Sequence, residues 1–355
     1  MRKEKTKTMR KFYLPLAVLL LFVVIIGGSW LRILNEYWQL VLLFMGINII
    51  LTVSLNLING YMGEFSCGHA GFMAVGAYVT GILTVWLFAE DKVFGPPVLP
   101  AAWAIPLFPV ALIAGAVAAS LVGLLVAIPS FRTRGDYLAI ITLAVNYIVK
   151  SAIENMEVIG GPRGFVGMKR VMNNMADVLD VPWLLIWTFI GIIVTILIIR
   201  NFTSSTLGKG VEAIREDEIA AELMSVNTRR VKVIAFMLSC GLAGLAGGLF
   251  AHWPGGYVNP GTFTILKSTE VMVMVYLGGM GSISGSIISA VGFTLLLELL
   301  RPLGVFKWVV IPLLLVVMML LRPTGILGNR ELTDVFPRLR AIFGSEEESY
   351  APASD

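Results

Sequence analysis

Charge is scarce in this 355-residue sequence: Lys, Arg, Asp and Glu together make up 14%, against 57% hydrophobic residues. Soluble domains run near a quarter charged, so a soluble globular fold is excluded and a polytopic membrane protein is indicated. Cysteine is nearly absent. Cys67 and Cys240 both sit in apolar surroundings, which argues against a disulfide framework and marks them as small packing residues. The two histidines, His69 and His252, are far apart and there are no paired carboxylates, so neither a metal site nor a nucleophile–base constellation is expected. That disfavours an intramembrane enzyme, and no cofactor and no nucleic acid are implied. A phosphate cradle is missing too. The only Gly-Lys pair, Gly208-Lys209, has Thr203 where a P-loop needs glycine and Gly210 where it needs Ser or Thr. Any ATP hydrolysis must belong to a separate chain.

What is abundant is long apolar sequence, with a mean hydropathy of +0.84. Hydrophobic runs predict an all-α bundle of about ten transmembrane helices near 13–33, 38–59, 71–89, 104–129, 136–155, 182–200, 231–251, 268–280, 285–300 and 304–322. The first follows a basic start, Met1 to Lys11, and reads as a retained signal-anchor because no small-residue cleavage site follows it. Of the 27 Lys and Arg residues, 18 fall in the segments 1–12, 129–136, 200–232 and 322–355. Ten passes put these four segments on one face, so the positive-inside rule assigns both termini to the cytoplasm. The chain then divides into a basic tail (1–12), a transmembrane region (13–328) with a cytoplasmic loop at 201–230, and a C-terminal tail (329–355).

Two stretches interrupt the apolar pattern. Asn59 to Gly71 is too apolar for an ordinary loop and too rich in glycine for a helix interior, and Gly278 to Gly285 is similar. Non-helical backbone at membrane depth persists only when buried in protein or lining a wet cavity, and such breaks often mark translocation routes. Gly63, Ser66, Gly68, His69, Gly278, Gly279, Gly281 and Ser282 are therefore candidate pathway residues. Close helix packing at small residues is the competing explanation, and His69, a lone imidazole among glycines, reads first as a satisfied packing residue, with a pathway or pH-sensing role as the alternative. His252, beside Trp253, reads as an interfacial belt residue. Asp136 reads as a helix N-cap, Arg132 and Arg134 as interfacial anchors, and Glu298 and Arg301 as an i,i+3 pair.

The loop at 201–230 carries a second kind of signal. Glu212 to Met224 is made of good helix formers, with Val211, Ile214, Ala221 and Met224 along one stripe and charged residues over most of the rest. A helix this short is marginal in water alone, so it calls for a partner or a membrane face to hold it.

Five blocks carry a family resemblance: Asn59 to Ala70, Arg134 to Ile140, Gly160-Gly161-Pro162-Arg163-Gly164, Ala213 to Ala221, and Leu277 to Ser282. Together the sequence resembles the permeases of branched-chain amino-acid ABC importers, of the M type, from about residue 40 to 328. The resemblance implies a helical permease in the cytoplasmic (inner) membrane, paired with a homologous permease subunit as a heterodimer. It further implies two ABC ATPase subunits and a periplasmic or extracellular substrate-binding protein. Glu218, Ala220 and Ala221 match the Glu-Ala-Ala loop of such importers, and with Glu212, Ala213, Arg215 and Ser225 they form the implied ATPase-coupling set. Ser225 departs from the glycine usual in that region. Branched-chain or other neutral amino acids are the implied cargo, urea or short amides the alternative. An ion-coupled secondary transporter is a further alternative, though it would want ionisable residues in central spans that hold few acids.

Overall fold

A computed structural model describes residues 34–90, 94–131 and 137–306, together with residue 22, residues 24–30 and scattered positions between 309 and 331. The expected span at 13–33, the two tails, and Arg132, Arg134 and Asp136 lie largely or wholly outside the described residues, and the expected span at 304–322 is described only in part.

The apolar runs become helices close to their expected limits. In chain order these are α1 (Glu36–Asn56), α2 (His69–Phe88), α3 (Ala104–Ser130), α4 (Tyr137–Glu154), α5 (Met168–Val178), α6 (Trp183–Thr203), α7 (Thr206–Glu216), α8 (Glu218–Leu223), α9 (Thr228–Ala251), α10 (Ile265–Gly278) and α11 (Ile283–Leu299). Among the described residues six helices, α1 to α4, α6 and α9, are long and apolar enough to cross a membrane, while α10 and α11 are shorter. Among the described residues the fold is all-α apart from one two-residue antiparallel pair, β1 (Phe165–Val166) with β2 (Tyr257–Val258). Hydropathy did not foresee α5, because it is amphipathic: Met168, Val171 and Met175 are buried while its other positions are mostly polar.

The bundle is organised around α9, which packs on α2 and α3, and around α1, which packs on α6, α9, α10 and α11. Small residues permit the tight approach. A Cβ placed on Gly76 of α2 would lie 2.1 Å from the Gly244 carbonyl oxygen of α9, a distance no alanine tolerates. Around this seam Phe72, Phe108 and Phe236 are fully buried.

His252 corrects an expectation. It is no belt residue but is 1% exposed, bonded through Nε2 to Thr84 Oγ1 (2.9 Å) and through Nδ1 to the Gly248 carbonyl (2.8 Å), with Phe108 edge-on. A polar ring at a helix end reads as interfacial in sequence, but here neighbouring helices close over it and satisfy both nitrogens. The Glu298–Arg301 pair does form, at 3.1 Å, and Cys67 and Cys240 are free thiols.

Candidate functional site

The polar insert folds as two helices where the sequence predicts one. Ser205 caps α7 by accepting from Gly208 N at 3.2 Å. The helix then stops at Asp217, whose backbone is extended (φ −158°, ψ 112°) and whose carboxylate accepts from Ile219 N (2.8 Å) and Ala220 N (3.0 Å). Asp217 thus starts α8 in a new direction, by the N-cap bonding that makes aspartate favourable at helix starts. The break corrects the expected stripe. Val211, Ile214 and Ala221 are buried as anticipated, but Met224 is 80% exposed, beside Ile219 (64%) and Leu223 (81%). The restart turns the end of α8 outward, leaving three large apolar side chains in the open.

The turn after α8 is tight. Ser225 adopts φ +65°, the one left-handed non-glycine residue among those described. Its N–H donates to Glu222 O at 3.0 Å, and Val226 N donates to Ala221 O at 3.1 Å, so serine holds the turn that glycine would adopt more cheaply. Asn227 then caps α9 by accepting from Arg230 N at 3.0 Å.

Two ties fasten this insert to the bundle. The first is Lys232, near the start of α9, whose ammonium lies 2.9 Å from Glu218 Oε1 and 2.7 Å from Glu64 Oε1. Its side chain is only 7% exposed. One lysine therefore joins the first residue of α8 to the glycine-rich stretch that follows α1. The second tie is Arg215 of α7. A Cβ added to Gly63 would meet its Cγ at 3.0 Å, and one added to Gly281 would meet its Nη1 at 3.1 Å. Arg215 thus touches both glycine-rich breaks, beside a cavity of about 570 Å³ that Tyr61 and Glu212 also line.

The breaks meet each other as well. α1 ends in a π-helical turn, Leu57–Tyr61, a form that recurs at functional sites. One turn earlier, Asn56 accepts from Gly281 N (3.0 Å) and donates to Ser282 O (3.0 Å) and Ser286 Oγ (2.8 Å). On its other side the second break is closed by residues 325–328 and Glu331. Ile326 N donates to Leu277 O at 2.9 Å and Leu327 N to Gly278 O at 3.2 Å. The Glu331 carboxylate accepts from Ile283 N (2.7 Å), Ser284 N (3.1 Å) and the Ser284 hydroxyl at the start of α11.

The expected pathway residues sit in this junction and are mostly packed. Gly68 abuts the Thr142 carbonyl, where a Cβ would come to 2.3 Å, and Ser66 N donates to Asn59 Oδ1 at 3.2 Å. His69 is 1% exposed and shares a 2.9 Å hydrogen bond with Ser54 Oγ. Gly278 abuts Gly285, Gly279 abuts Gly328, and Ser282 caps α11 by accepting from Gly285 N at 3.0 Å. Of the expected coupling residues, Ala221 is buried, Arg215 and Glu218 are half-buried, and Glu212, Ala213, Ala220 and Ser225 are exposed. Sequence reasoning missed Lys232 and Asn56. Lys232 is hidden as the last of a basic cluster, Arg229-Arg230-Val231-Lys232, and Asn56 as one of several small polar residues in a mainly apolar run.

Comparison with known proteins agrees with this architecture. The family model described as branched-chain amino acid transport system / permease component matches residues 38–321. The high-affinity branched-chain amino acid transport system permease protein LivM of Escherichia coli K12 is 32% identical over 310 residues, covering 79% of this chain and 68% of that protein. LivM of Salmonella typhimurium is 33% identical over 305 residues, with the same shares covered. The permease protein LivH of Salmonella typhimurium is 24% identical over 298 residues, covering 81% of this chain and 92% of that one. No solved structure matches. The chain belongs to the permease family of branched-chain amino acid transport systems, as an all-helical, multi-pass permease subunit of an ABC transporter.

Proposed function

We propose that this subunit imports branched-chain or other neutral amino acids, driven by ATP hydrolysis in two separate ATPase subunits. A homologous permease forms the other half of the route, and an external binding protein delivers the cargo. In this reading the insert faces the cytoplasm and the inner membrane is the site of action.

The observation that supports the reading is the exposed apolar edge Ile219, Leu223 and Met224, on a helix otherwise tied firmly to the bundle. Leucine and methionine more than three-quarters exposed on a six-residue helix gain little in water and much in the cleft of a partner. An ATPase closing on α8 would pull on Glu218. The displacement would pass through Lys232 to Glu64 and the first break, and through Arg215 to both breaks together. Because Asn56 ties α1 to Gly281 and Ser282, the ends of α1, α10 and α11 would move as a set. That is a lever for alternating access, in which loaded binding protein docks on one side while the motor closes on the other.

The test is purification and reconstitution. The full chain should co-isolate with an ATPase subunit, and proteoliposomes with the binding protein should take up leucine, isoleucine or valine only with ATP. Leu223→Glu, which leaves the Lys232 tie intact, should cut co-isolation about tenfold or more by placing a charge in the apolar contact. Full co-isolation and uptake in that variant would remove the coupling role from α8.

A further inference from the structure

The end of the bundle opposite the insert holds a charge pair in the opening turns of α10, a helix otherwise largely apolar. Lys267 lies in the first turn of α10, and its ammonium is 3.1 Å from Glu270 Oε2 and 3.2 Å from Asn48 Oδ1. The Asn48 amide in turn donates to Thr294 Oγ1 of α11 at 3.0 Å. Both charged side chains are about four-fifths buried, at 20% and 18% exposure. Asn48 is 12 residues along α1, or about 18 Å from that helix's start. The pair therefore stands in the half of the bundle away from the insert, with most of both side chains out of solvent.

An ion pair in such a place is a poor stabiliser. Apolar residues of similar volume would serve folding as well or better, and ionisable residues within membrane spans mark substrate or ion routes. This pair also opens onto a hollow of about 460 Å³, within the roughly 300–1,000 Å³ typical of small-molecule sites. Val41, Phe44, Phe250 and Leu297 supply its apolar wall.

We infer that this hollow between α1, α10 and α11 is a weak binding site for a zwitterionic amino acid with an aliphatic side chain. The inference deepens the proposed function and rests on it for the transport role. In an α-amino acid the carboxylate and the ammonium are attached to one carbon, so a complementary site needs opposite charges side by side. Lys267 and Glu270 provide that spacing. An ammonium has three donors, and among the described residues two are used, on Glu270 and Asn48, which leaves one for a substrate carboxylate. Glu270 receives Lys267 on Oε2, and its Oε1 can take the substrate ammonium. The aliphatic side chain then lies on Phe44 and Leu297. Urea, which has neither charge, can hydrogen-bond to the pair but neutralises neither member, and its lack of a side chain leaves the apolar wall unused. The internal ion pair competes with the ligand, which keeps the site weak enough to release what it takes.

The experiment uses the full-length chain in lipid nanodiscs with the subunits that co-purify, carrying Thr262→Cys at the exposed edge of the hollow. The readout is the rate of labelling by a maleimide. L-leucine should slow labelling several-fold. At the same concentration 4-methylpentanoate, which lacks the ammonium, isopentylamine, which lacks the carboxylate, and urea should not. Lys267→Gln or Glu270→Gln should each raise the leucine concentration for half-protection about tenfold, the loss of one charge-assisted hydrogen bond. Because the ligand series is run with the pair intact, it decides the matter even if those variants fold poorly. Labelling unchanged by leucine, or slowed equally by isopentylamine, overturns the site. ATP-driven uptake without protection discards the site and leaves the importer reading standing; protection without such uptake does the reverse.

Discussion

Lys232 and Lys267 invite comparison, because each is a lysine in the opening turns of a largely apolar helix and each is paired with glutamate. Lys232 binds two carboxylates from different elements, Glu64 beside the first break and Glu218 at the start of α8, and only 7% of its side chain remains exposed. Lys267 pairs with a glutamate three residues along its own helix and faces a cavity. The chemistry is the same and the topology differs. A pair that joins distant parts of the chain fixes their relative position. A pair within one helix fixes little, and its charges stay available to something else.

The sharpest way to break the comparison is Lys232→Met. It would leave Glu64 and Glu218 facing each other without a counter-charge. Removing one member of a buried pair costs about 3–5 kcal/mol, and the 40% exposure of Glu218 puts this case near the lower figure. Thermal unfolding of the solubilised chain should fall by several degrees, and co-isolation of an ATPase should fail. Next comes Asn56→Ala, which strips three hydrogen bonds from the meeting of the two breaks. A loss of about 2 kcal/mol is expected, measured the same way. Ser225→Gly should move in the opposite direction, stabilising by about 1 kcal/mol because it relieves a left-handed backbone at φ +65°. The smallest effect belongs to the double variant Lys267→Gln, Glu270→Gln. Its stability should stay within about 1 kcal/mol of the parent, and a larger fall would make that pair a structural tie like the first.

The same contrast explains what the sequence made legible. Long apolar runs announced α1 to α4, α6 and α9, because each run satisfies the backbone internally and needs no tertiary information. The two glycine-rich breaks were visible from composition. That they meet was not, because the contact depends on one amide side chain, Asn56, in a run whose average hydropathy conceals it. The start of α8 was misread for a similar reason. Asp217 is a poor helix former that favours caps, but it stands among good helix formers, and only its acceptance of hydrogen bonds from Ile219 and Ala220 reveals the restart. Lys267 was passed over because the expected span began at 268, one residue too late to join it to Glu270. Family resemblance singled out the stretch around Glu218 as a coupling candidate but could not say that Glu218 turns inward to Lys232 while Leu223 and Met224 face out.

The carboxylate closing the second break arrives from far along the chain: Glu331 reaches Ile283 across 48 residues. Any opening of that junction must therefore unlatch the segment leading to the C-terminus, and a chain cut short before residue 325 would bare two amide hydrogens that now have acceptors.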